Sequence, residues 1–166
     1  MGAQVTTTSD GRAFDVFYVQ EQGGRPFGWS DSYIQDRLRD SVQHAAEHGL
    51  PENDALATLK PLRRREAAFT VTPSVNLDQQ ASDTALVIEA TGRDRPGLLH
   101  ALAKTLSDIG LSLEAARIDG YGERAVDTFY VTDKGGKPSG DARLVGIKVQ
   151  LMNVLSDAED AVAVHR

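Results

Sequence analysis

The sequence has no cysteine, one tryptophan and 6% aromatic residues in 166 positions. Without cysteine there are no disulfides and no thiolate chemistry, which fits a reducing cytoplasm. Positive charge is scarce too: 18 Lys and Arg against 24 Asp and Glu leave a formal charge of −6. Surfaces that hold phosphates are normally basic, so nucleic acid is not an expected partner. No apolar run approaches the roughly 18 residues that span a bilayer, and no secretory signal opens the chain, so no membrane is expected. Catalytic patterns are missing as well. There is no Gly-x-Ser-x-Gly elbow, no paired-carboxylate motif, no nucleotidyltransferase signature and no HD-type hydrolase cluster. The expectation is a cytoplasmic α+β protein with no catalytic residue and no metal ligand of its own.

What is present is repetition. Residues 12–26 read RAFDVFYVQEQGGRP and residues 124–138 read RAVDTFYVTDKGGKP, identical at nine of fifteen positions and 112 residues apart. The second copy follows a long lead. Ala85 to Ala90 is a short apolar run, expected as a buried strand. GRDRPGLL then turns the chain, and Leu98, Leu99, Leu102, Leu106 and Ile109 form the stripe of an amphipathic helix. Asp94 is the expected N-cap, Pro96 suits the first turn, and Gly110 is a natural stop. Leu111 to Ile118 and Ala125 to Val131 read as antiparallel strands joined at DGYGE. Ala142 to Leu155 reads as a second helix with Leu144, Ile147, Leu151 and Leu155 on one face. The order is strand, helix, strand, strand, helix. A last strand would complete a ferredoxin-like βαββαβ unit with both helices on one face of an antiparallel sheet. AVAV near the C-terminus is its weak candidate.

The first copy has only the later half of that unit. Arg12 to Val19 is its strand, and Ser30 to His48 its helix, capped by Ser30 and ended by Gly49 and Pro51. Ala67 to Val75 is the closing strand, with Pro73 marking an edge or an end. Residues 76–84 link the units. The expected division is a partial unit over 1–79, lacking its first strand and helix, and a second unit over 80–166. The missing half predicts that the chain is a C-terminal fragment of a larger protein.

GRDRPGLL sits where a strand meets a helix, and a helix start offers free backbone N–H groups to an anion such as a carboxylate. Gly97 lets a small ligand approach the backbone, and Asp94 can balance an ammonium group. Together they suit a free amino acid. The same residues serve equally well to cap, start and pack the helix without any ligand.

The run GRDRPGLLHALAKTLSDIGLSLEAARI, followed by GERAVDTFYVTDKGGKP, resembles an ACT domain, a regulatory module that commonly binds amino acids. Two such units with the phrase DTFYV matched by DVFYV in the first copy resemble the C-terminal region of the bifunctional PII uridylyltransferase/uridylyl-removing family, from about Val5 to Ser156. The run from Gly92 to Leu99 is the specific part; the DTFYV phrase is supportive. The resemblance implies tandem ACT units, the first truncated, that sense glutamine and report it by allosteric population shift to upstream catalytic domains. It implies PII as a partner of the parent enzyme, and Mg2+ as a cofactor of the absent catalytic domains. The ligand residues it implies are Asp94, Arg95, Pro96, Gly97, Leu98 and Leu99. Self-association is also expected, because two incomplete sheets can cover each other. The alternative is a structural or dimerisation module that binds no ligand.

Other leads fall away. HAAEH (44–48) has metalloprotease spacing but lies in the last turn before Gly49, where His suits the helix dipole. GYGERA (120–125) fits a loose dinucleotide pattern but joins two strands, so it reads as a hairpin turn. Arg63, Arg64 and Arg65 read as a solvated linker, and His100 as an exposed helix residue. Asp15 and Asp127, at equivalent strand positions, are expected to face solvent or a neighbouring sheet.

Overall fold

A computed structural model describes residues 2–8, 10–21, 25–29, 31–49 and 71–163, with the helical backbone alone over 157–163. The chain divides into two compact units, one covering 18–60 and the other 2–17 together with 61–166. Among the described residues the architecture is α+β, with a six-stranded antiparallel sheet and three helices.

The larger unit holds the sheet. Its strands are β1 (Gly2–Thr7), β2 (Ala13–Tyr18), β3 (Ser74–Asp78), β4 (Leu86–Arg93), β5 (Ser112–Tyr121) and β6 (Arg124–Thr132), in the spatial order β2-β1-β5-β6-β4-β3. The helices α2 (Leu98–Asp108) and α3 (Asp141–Ala163) lie on one face of it. Strand alternation explains why. Leu86, Ile88 and Ala90 of β4 stand opposite Val131, Phe129 and Asp127 of β6, so their side chains share a face. That face meets Leu98, Leu102 and Leu106 of α2 and Ile147, Leu151 and Leu155 of α3, all nearly solvent-free. Arg143 of α3 also donates to the Ile109 carbonyl at 2.9 Å, satisfying the end of α2.

The β5–β6 hairpin forms as the alternation predicts. Three expectations change. Pro73 lies just before β3, and that strand runs on through Asp78, so residues 76–78 belong to the sheet rather than to a link. Residues 67–70 of the expected closing strand lie outside the described residues, as do Arg63, Arg64 and Arg65. The weak AVAV strand is not formed: residues 161–163 continue α3. Alanine and glutamate favour helix there. The flank of β4 where a final strand would pair is already bonded to β3, in the register Val75↔Ala90 and Leu77↔Ile88.

The repeat is also visible in the sheet. β1 pairs with β5, and the register includes Ala3↔Ile118, Gln4↔Arg117, Val5↔Ala116 and Thr6↔Ala115. Replacing each residue by its counterpart 112 positions away returns the same four pairs. The contact between the repeats therefore carries a local two-fold symmetry between Gln4 and Val5.

The smaller unit contains α1 (Ser32–His48). Its N-cap is Asp31, whose carboxylate accepts the Tyr33 N–H at 2.9 Å. The expected cap, Ser30, lies outside the described residues. Gly49 ends the helix, as expected, in a positive-φ conformation. No residue of α1 is buried.

Candidate functional site

The site is built where β4 hands the chain to α2. The Asp94 N–H donates to the Glu123 carbonyl at 2.8 Å, which ties the segment to the β5–β6 turn. Beside it, Arg93 pairs with Glu123 at 3.0 Å in a half-buried ion pair. Arg95 then turns inward and donates to the Val154 carbonyl of α3 at 3.0 Å. Gly97 takes φ +83°, and the Leu98 N–H bonds back to the Arg95 carbonyl before the helix proper begins. The cap of α2 is thus Gly97 and not Asp94, and Pro96 precedes the helix instead of occupying its first turn. The Asp94 backbone is held by the hairpin and the Arg95 side chain by α3, so the helix starts later than the side-chain pattern suggests.

The six predicted ligand residues are therefore contiguous, but they divide in orientation. Asp94 and Pro96 are exposed, Arg95 and Gly97 are half-buried, and Leu98 is buried in the core. Leu99 points outward, so Leu98 alone of that pair fixes α2 to the sheet. A side chain at Gly97 would meet nothing within 4 Å. Gly97 is required by its left-handed backbone, and the space beside it is open. Gly92 differs: a Cβ there would stand 2.7 Å from Leu155 Cδ2, so β4 and α3 touch closely at the base of the site.

The residue that sequence reasoning misplaced is Asp127. It is 2% exposed and lies on the core face of β6, between Ala90 of β4 and Ile118 of β5. Among the described residues its Oδ1 has no hydrogen-bond partner. Burial pushes its carboxyl up to about 7, and the negative charges of Asp94 and Asp119 add to the shift. Asp15, its repeat counterpart, is exposed as expected. A signal for Asp127 exists in the sequence: Ala125, Asp127, Phe129 and Val131 share one phase of the strand's period-two pattern, and three of the four are apolar.

His44 and His48 stack at 4.5 Å between ring centroids on exposed α1. Among the described residues no group of three or more His, Cys, Asp or Glu is placed to hold a metal ion. No helix among them is long and apolar enough to cross a membrane.

Comparison with known proteins gives one consistent answer. No family model and no solved structure matches the chain. Curated relatives do. The chain is 49% identical over 164 residues to a Caulobacter vibrioides protein named bifunctional uridylyltransferase/uridylyl-removing enzyme, covering 96% of this chain and 17% of the relative. A Phenylobacterium zucineum protein of the same name is 50% identical over 168 residues, covering 100% of this chain and 18% of the relative. A Rhodospirillum rubrum relative, again so named, is 42% identical over 137 residues, with 82% and 14% covered. The chain is similar to one segment of these enzymes. It spans less than a fifth of their length.

Proposed function

We propose that the chain is the regulatory, glutamine-sensing tandem ACT region of a PII uridylyltransferase/uridylyl-removing enzyme. It controls nitrogen metabolism by allosteric amino-acid binding, while catalysis and Mg2+ belong to the rest of the parent protein. The carrying observation is the left-handed Gly97 opening α2, with open space where any side chain would stand. The amino acid's carboxylate lies against the first N–H groups of α2, where the helix dipole favours an anion. The two-fold register of β1 with β5 supports a second, equivalent unit. The clamp from Arg95 to α3 offers a route by which occupancy is transmitted, since a ligand that favours one setting of this loop shifts the population of both elements.

The test is calorimetric titration with glutamine, with glutamate and asparagine as controls, on the chain and on Gly97→Val. Saturable, glutamine-selective binding that the variant loses is the expected result. A folded chain giving no heat with any of the three amino acids overturns the reading.

A second reading is favoured by α1. Tyr33, Leu38 and Val42 are exposed, and Leu38, Val42 and Ala46 line an apolar groove with Val19 and Phe27. On that reading the chain is a ligand-free association module whose partner is a second copy. Saturable amino-acid binding separates the readings, because the sensor requires it and the ligand-free module does not, whereas self-association is expected on both.

A further inference from the structure

The 94–97 loop and α2 do not use Asp127, yet it is a carboxylate with 2% exposure and an unpartnered Oδ1. Buried polar groups in folded proteins are nearly always satisfied, so an orphan of this kind needs an explanation. Cross-strand pairing places it on the helix-covered face, one row below Gly92, Ala125 and Gly120. None of those three side chains exceeds a methyl group. Beyond them lies the loop carrying Asp94. The charged groups acting on Asp127 are Asp94 from that loop and Asp119 from β5, both acidic. Asp119 points to the opposite face of the sheet and is paired with Arg117, so the acidic neighbour on the side of the α2 start is Asp94, and the dipole of that helix favours the other end of a zwitterion.

We infer that Asp127 is the specificity-determining residue for the ligand's cationic group, receiving the α-ammonium of an amino acid whose carboxylate lies at the start of α2. This rests on the amino-acid-sensing reading above. The ammonium donates to Oδ1, which completes the missing hydrogen bond and offsets the repulsion between Asp127 and Asp94. Burial lets Asp127 hold a proton at mildly acidic pH, so binding an ammonium there releases that proton to solvent.

The experiment is calorimetry on the 166-residue chain at pH 6 in two buffers of different ionisation heat. The probes are L-glutamine and its desamino analogue, 5-amino-5-oxopentanoic acid. The expected result is glutamine binding about tenfold or more tighter than the analogue, as befits a charge-assisted hydrogen bond, with up to one proton released. Asp127→Asn is expected to reduce the preference to about twofold or less and abolish proton release. Equal binding of both probes by the unmodified chain overturns the inference while leaving a carboxylate site standing, and needs no variant to fold. Undiminished discrimination in a folded Asp127→Asn variant also overturns it. A chain that binds neither probe removes the sensing reading and this inference together.

Discussion

The two copies of the repeated phrase have nearly the same sequence and very different surroundings. In the second copy Asp127 is 2%, Phe129 1% and Val131 0% exposed; in the first, Phe17 is 57% and Val19 47% exposed. The local code is the same, so the code does not decide burial. The difference is what lies against each strand. β6 is flanked by β4 and β5 and covered by α2 and α3, whereas β2 lies at the edge of the sheet beside β1 and none of its residues is buried. A strand's alternation specifies which side chains share a face, and the rest of the fold determines whether that face is core or surface.

The largest test of this contrast is a matched pair of truncations. Phe129→Ala should cost about 3–5 kcal/mol, the usual loss for an aromatic side chain removed from a packed core. Phe17→Ala should cost less than about 1 kcal/mol, since its ring is already in water. Denaturant unfolding of both variants measures the ratio, and equal losses would break the comparison.

The two aspartates sharpen it electrostatically. Folding raises the Asp127 carboxyl from 3.8 to about 7. The folded state therefore holds a proton that the unfolded chain has released, and this group's stabilisation is fully present below about pH 4. It is lost as pH rises toward 7, at about 1.4 kcal/mol per unit. Asp127→Asn should remove that fall, so the variant gains on the unmodified chain by a few kcal/mol between pH 4 and pH 8. Asp15→Asn should change nothing beyond a few tenths of a kcal/mol, as surface substitutions do. Stability curves for both variants across that range check the sign.

A third test concerns the glycines of the site. Gly92→Ala should destabilise by about 1–3 kcal/mol, because the new methyl group collides with Leu155. Gly97→Ala should cost about 1–2 kcal/mol through its positive φ alone. Adding Leu155→Ala should relieve part of the first loss and none of the second, which a double-mutant cycle reads directly.

These residues also show what could be read from the chain. The 3.6-residue stripe of Leu98, Leu102 and Leu106 and the period-two pattern of β6 located α2 and the hairpin, because both periods follow from local geometry. Gly110 and Gly49 announced the helix ends. The start of α2 was misplaced since Asp94 is a good cap by type, but its backbone is held by Glu123, a residue 29 positions away. β3 extended beyond its expected limits for the same reason: its partner is β4, and pairing is a long-range fact. Asp127 was legible as an inward-phase residue yet was assigned by polarity to solvent or a neighbouring sheet. Type outweighed phase in that assignment, and the structure reverses it.

The smallest expected effect lies in α1. This helix has 17 residues, none buried, so its stability draws little on packing within the described chain. Its cap therefore carries a larger share. Asp31→Ala removes the acceptor for the Tyr33 N–H and should cost about 1 kcal/mol of local helix stability. Far-ultraviolet circular dichroism should show lower helicity at 25 °C, while the cooperative unfolding that reports Phe129 and its neighbours keeps its midpoint. The chain forms two compact units, and a local loss in one should not appear in the core of the other. A midpoint that moves with Asp31→Ala would mean that α1 folds cooperatively with the sheet. The contrast between a covered copy and an uncovered one would then be wrong at the level of energetics, however the exposures read.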